Sequence, residues 1–156
     1  MSDTNLYPNF PTVFSLGHHV ARAYDTLPQT DTEALFTVAG GRVLITLLFG
    51  EVTTVIQNSD PVAKITANPT TGSSIDVGST VDLTSLEAGG FILCEGDGTA
   101  LIKSNAGSAP GAASSSRPWI VNTGTIDLTT GASKTGAVKW DLYYVPLDEG
   151  ASVVAA

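Results

Sequence analysis

One cysteine, one methionine and two histidines stand in 156 residues, and charged side chains make up only 14% of them. A single thiol, Cys94, allows no intrachain disulfide and no zinc quartet. That usage is consistent with assembly in a reducing cytoplasm. Only seven residues are basic against fifteen acidic, and the basic ones are scattered from Arg22 to Lys139. With no cluster to neutralise a run of phosphates, neither nucleic-acid binding nor attachment to an anionic membrane surface is expected. The longest strongly apolar run, VLITLLFG at 43–50, is far too short to cross a bilayer as a helix. The opening MSDTNLYPNF lacks the basic start and apolar stretch of a secretory signal. No GxSxG elbow, phosphate loop or strand–GxGxxG–helix unit is present, so hydrolase and nucleotide chemistry have no support.

What fills the chain instead is serine, threonine and glycine around an apolar content of 42%. The net charge of −8 favours solubility and discourages random self-association. A chain of this length buries roughly 70% of its unfolded surface, enough for one domain without a metal or disulfide.

Read along its length, the chain is dense in strand signals. Residues 1–14 form an arm in which prolines at 8 and 11 disfavour helix and favour extended backbone. FSLGHHVARAYDTL, 14–27, fits both a helical stripe and an alternation, and the alternating, extended reading is preferred. Gly40-Gly41, between ALFTVA and RVLITLLFGEVTTVIQ, predicts a hairpin. Gly50 predicts a bulge or bend within the second run. FILCEGDGTALIK predicts two strands around a tight Asp97-Gly98 turn, and the small residues at 104–116 a flexible loop. About eight short strands with no helical segment after residue 30 give an all-β fold: a single-domain antiparallel β-sandwich or jelly roll, with a closed barrel second.

Few side chains offer chemistry. His18 and His19 are adjacent and on a strand would point to opposite faces, so they are not expected to share a metal. Glu95-Gly96-Asp97-Gly98 lacks the oxygen series of a calcium loop and reads as a turn. Cys94, in an apolar strand without basic neighbours, reads as an inert small hydrophobe. Trp119, Trp140, Tyr143 and Tyr144 could make a sugar-stacking platform, but a core or an interface suits them better. No catalytic residue, metal ligand, cofactor or small-molecule substrate is therefore expected.

Three stretches, LFTVAGGRVLITLLFGEVTTVIQ, EGDGTAL and NTGTIDLTT…TGAVKWDLYYVPLDEGASVVAA, resemble small β-rich virion proteins of tailed bacteriophages. Among these the chain is most similar to head decoration, or capsid cement, proteins. The resemblance implies a non-enzymatic virion protein on the outer capsid surface, assembled in the host cytoplasm. Its implied partners are the major capsid protein and further copies of itself, in a homotrimer. A tail, neck or fibre component is the nearest rival, and a carbohydrate-binding sandwich the rival from another class.

Cement proteins need reach as well as rigid sheet, which nominates the arm residues Leu6, Tyr7, Phe10 and Phe14 as partner contacts, with Val153 and Val154 of the tail. The closing KWDLYYVPL alternates, putting Trp140, Leu142 and Tyr144 on one face and Asp141, Tyr143 and Val145 on the other. The tail 148–156 then begins with an acidic turn, and ASVVAA is expected to be ordered by an adjacent chain.

Overall fold

A computed structural model describes residues 16–57, 62–108, 117–131 and 135–156, and these form a β-sandwich without helices. The strands are β1 His18–Thr26, β2 Thr32–Ala39, β3 Val43–Thr54, β4 Val62–Pro69, β5 Ile75–Asp82, β6 Phe91–Cys94, β7 Ile102–Ser104, β8 Trp119–Val121, β9 Gly124–Thr130, β10 Ala137–Pro146 and β11 Ser152–Ala155. Sheet A runs β1-β10-β3-β6-β7, with β8 also paired to β3; sheet B runs β11-β2-β9-β4-β5. All strand pairings within them are antiparallel. The arm and most of the 104–116 loop lie outside the described residues.

Alternation decides which side chains enter the core. Trp140, Leu142 and Tyr144 of β10 share one face, as the sequence predicts, and that face turns inward into one cluster with Phe36, Ile126 and Leu128 from sheet B. β3 slips against β10 at two places: Ile45 pairs with Tyr144 and Leu47 with Tyr143, leaving Thr46 as the extra residue of a bulge, and Val52 pairs with Val138 and Thr54 with Ala137, leaving Thr53. Val43 and Ile45 face inward before the bulge at Thr46, and Leu48, Gly50 and Val52 after it. The irregularity predicted at Gly50 instead falls on either side of it, at Thr46 and Thr53. Gly50 itself pairs regularly with Trp140. Its role is space: a Cβ there would lie 3.0 Å from the Trp140 ring and 2.7 Å from Val138 Cγ1.

The Gly40-Gly41 pair is not a hairpin. β2 belongs to sheet B and β3 to sheet A, so the glycines carry the chain across the sandwich in an arch. Both have positive φ, 76° and 144°. A Cβ on Gly40 would meet the Gly150 carbonyl, and one on Gly41 would meet the Asp148 side chain. Hairpin and arch demand the same backbone freedom, which is why the dipeptide alone could not separate them.

The open sides and ends are closed by different means. On one side Arg22 of β1 pairs with Glu33 of β2, linking the two sheets. On the other, residues 98–101 run along β5, with Ser79 N–H donating to the Thr99 carbonyl at 2.8 Å and Leu101 N–H to the Ser79 carbonyl at 3.1 Å. β6 and β7 do pair as predicted, but the connection is this longer excursion and not a tight turn. One end is plugged by Leu27, Ile56, Leu83 and Leu86, all buried. The opposite end is polar and is described next.

Candidate functional site

The residues that could carry chemistry are each occupied by local structure. His18 and His19 fall on opposite faces of β1, beside Tyr144 and Tyr143. His19 stacks on the Tyr143 ring at 4.7 Å and its Nε2 donates to Asp141 Oδ1 at 2.6 Å. Cys94 is buried with its thiol 3.6 Å from the Val77 carbonyl. Burial pushes that thiol up to about 12, so it is not a nucleophile at neutral pH. Asp97 accepts from the Thr99 hydroxyl at 2.5 Å and its N–H at 3.0 Å, which holds the carboxyl below its usual range. The turn acid thus serves its own loop. Among the described residues no three His, Cys, Asp or Glu side chains stand together in a metal-holding group. Nor do the aromatics form one platform: Trp140 and Tyr144 are core, Tyr143 faces outward, and Trp119 packs on the core from β8.

The polar end is an open cleft of about 520 Å³, lined by the arch and by residues 70–71, 122–123 and 148. Its charged feature is a forked pair. Arg42 Nη2 donates to Asp148 Oδ1 at 2.7 Å and Nε to Oδ2 at 2.9 Å, while the Arg42 N–H also donates to Oδ2 at 2.7 Å. These bonds hold the Asp148 carboxyl well below the usual carboxylate range and raise Arg42. With both groups satisfied by each other, the pair ties the tail to the arch and presents little to a ligand.

The outer faces of the sheets carry the functional contrast. On sheet B the middle of the outer face is polar and mutually bonded, with Val62 and Val154 exposed toward its ends at 37% and 54%. Lys64 Nζ lies 3.1 Å from Asp76 Oδ1, which also accepts from the Thr66 hydroxyl at 2.7 Å. Asn68 donates to Asp127 at 3.0 Å, and the Thr32 and Thr129 hydroxyls meet at 2.8 Å. On sheet A, Ile120, Leu44 and Val145 align in one outward row across β8, β3 and β10. Ile102, Leu93 and Phe49 align in another across β7, β6 and β3, beside Phe91 at 6.1 Å ring separation. Leu47 and Leu93 face outward and lie apart from the inner core cluster, yet are only 7% and 2% exposed. Ile120 is 63% exposed. Beside these rows the same face carries the Glu51–Lys139 pair at 2.8 Å and the His19–Asp141 pair.

Of the nominated contacts, Leu6, Tyr7, Phe10 and Phe14 lie outside the described residues. Val153 is a core residue, 4% exposed, and Val154 points out at 54%. The tail is ordered by its own chain: Val153 pairs with Val38 and Ala155 with Phe36 on β2. That overturns the expectation of an adjacent chain; a free edge of sheet B was available, and burying Ala151 and Val153 there rewards its use. The sequence reading missed the outer face of sheet A. Its signal was the apolar run at 43–49, broken only by Thr46, which cannot be satisfied by one buried face. No protein-family model, curated protein or solved structure matches this chain.

Proposed function

We propose that this protein is a non-enzymatic structural component of a phage virion, a decoration protein seated on the outside of the head that ties major-capsid subunits together. The observation that carries an assembly role is the apolar outer face of sheet A, set against the polar outer face of sheet B. A subunit so divided has a side to be covered by protein and a side suited to water.

Two points favour a virion as the assembly. One is the resemblance of residues 35–57, 95–101 and stretches of 122–156 to small β-rich virion proteins of tailed phages. The other is strand order. β1-β10-β3-β6 faces β2-β9-β4-β5. We read this as the two Greek keys of a jelly roll, an architecture recurrent in capsid and lectin domains. Fold by itself assigns no task, so the outer face remains the stronger support. In a homotrimer each added coat contact would multiply avidity, so weak individual contacts suffice.

The test is to mix the purified protein with heads that lack it, sediment them, and image the complex by cryo-electron microscopy. Density on the outer head surface is expected. Failure to co-sediment, or density for this chain confined to the tail of the intact virion, would overturn the reading.

A further inference from the structure

We propose that the pocket between the start of β5 and β8 is a socket for an arginine side chain presented by a protein partner. The choice of a protein as occupant rests on the assembly reading above; the inference names what one contact of that assembly recognises.

The pocket holds about 280 Å³, and its walls come from the start of β5, the turn at 96–98 and the start of β8. Ile75 from sheet B and Ile120 from sheet A both line it, 66% and 63% exposed. Among the described large apolar side chains only Tyr24 is more exposed. A single exposed isoleucine needs no explanation, but two from different sheets converging on one pocket do.

Backbone contacts hold these walls in place. Gly98 N–H donates to the Val77 carbonyl at 3.1 Å, and Arg117 N–H to the Glu95 carbonyl at 2.6 Å. Trp119 pairs with Ile45 on β3. Gly96 has a φ of 82°, and a Cβ there would lie 2.4 Å from Trp119 Cε3, so only glycine lets the turn rest against the indole. A pocket already formed loses little entropy when a side chain enters it.

Charge selects the occupant. The lining includes Asp76 and Asp97 and no basic residue, in a chain of net charge −8. Asp97 offers Oδ1 to the Thr99 hydroxyl and N–H, while its Oδ2 lies 3.4 Å from Arg117 Nε, on a side chain 75% exposed. A guanidinium therefore already suits this carboxylate, and the resident one stays largely in water, where an incoming arginine can replace it. Apolar walls with acidic residues among them fit a cation on an apolar stem. Arginine fits better than lysine, because its planar, weakly hydrated head both packs on an indole and pairs with a carboxylate. It is also enriched at the energetic centres of interfaces. A free metabolite fits less well, since small-molecule sites usually hold ~300–1,000 Å³. A sugar fits less well because Trp119 packs on the core and against Gly96, so much of its ring is already in contact.

Titrating N-acetyl-arginine amide at millimolar concentration into the isotope-labelled full-length protein, followed by NMR, tests the socket on the isolated subunit. Saturable shifts should appear at the Gly96, Gly98 and Ile120 amides and at the Trp119 indole N–H. N-acetyl-citrulline amide, of the same shape without the charge, should shift them several-fold less. Asp97→Asn keeps an acceptor for Thr99 and should weaken the arginine response several-fold. Ile120→Ala, at an exposed position, should also weaken it while the spectrum stays that of a folded sheet. Equal shifts from the two probes, no saturable shift at these positions, shifts centred on the Glu33 side of the sandwich, or a stronger response to glucose would overturn the proposal. Because no head is present, a saturable arginine response stands even where head binding fails, and head binding stands where the response fails.

Discussion

Pointing away from the core, sheet B presents Thr32, Lys64, Thr66, Asn68, Asp76 and Thr129, and sheet A presents Leu44, Phe49, Phe91, Leu93 and Ile120. The two sheets pack on one another through a single shared core, so burial inside does not distinguish them. Sheet B shows the usual economy of an antiparallel sheet, apolar in and polar out. Sheet A breaks that pattern at the middle of its longest strand. Polar outer residues on sheet B are bonded to each other and leave a finished surface. The outer apolar residues of sheet A sit beside the Glu51–Lys139 and His19–Asp141 pairs and are not bonded into a finished surface. The difference teaches that the fold is satisfied by one face of each sheet, and that the apolar patch on the second face of sheet A is surplus to that core.

The largest effects should come from the shared core and should be blind to the sheet of origin. Trp140→Ala on sheet A and Phe36→Ala on sheet B should each cost about 3–5 kcal/mol in urea denaturation. A cost below about 1 kcal/mol for either would mean the two inner faces do not form one core.

Next in size is the tail. Val153→Ala should cost about 2 kcal/mol, in line with a fully buried valine, whereas Val154→Ala should stay within about 0.5 kcal/mol. Equal effects at the two positions would break the assignment of β11 to sheet B.

The Arg42–Asp148 fork joins the arch between the sheets to the tail, and its contribution should depend on pH. The folded-state value of Asp148 is depressed relative to the unfolded chain, chiefly by the Arg42 side-chain hydrogen bond. Its stabilisation is therefore complete above about pH 4, the ordinary aspartate value, and fades as pH falls toward the depressed one. Wild type should exceed Asp148→Asn in denaturation midpoint at pH 6, with the gap narrowing steadily toward pH 2. A gap that widens on acidification would reverse the sign and sink the assignment.

The smallest effect is an expected null. Cys94, on the inner face of sheet A with its thiol pushed up to about 12, should not react with a thiol reagent at pH 8 until the protein is unfolded. Rapid labelling of native protein would show that this side of the core opens.

Much of the sandwich was legible because alternation is a direct readout of a strand's two faces. β10 was divided correctly into Trp140, Leu142, Tyr144 and Asp141, Tyr143, Val145 for that reason. What alternation cannot supply is the sheet to which a strand belongs. Gly40-Gly41 therefore passed for a hairpin, since an arch needs the same positive φ. Gly50 passed for a bulge because a glycine that makes room for an indole looks, in sequence, like one that bends a strand. The tail was assigned to a neighbour because a four-residue strand carries too little pattern to name its partner. Of the candidate interaction face, the run at 43–49 was visible, but its companions Phe91, Leu93 and Ile120 are gathered only by pairing across long stretches of chain.

The order in which strands pair has a consequence for how the protein comes into being. β1 waits for β10, and β2 for β9 and β11, so neither sheet is complete until β10 and β11 have been made. A nascent chain leaving the ribosome carries VLITLLF unpaired until β6 follows roughly forty residues later, ~2–8 s at common elongation rates. Folding is thus dominated by distant pairings, the regime of slow acquisition and greater exposure to aggregation. Chaperone dependence during expression is the expected signature of this topology.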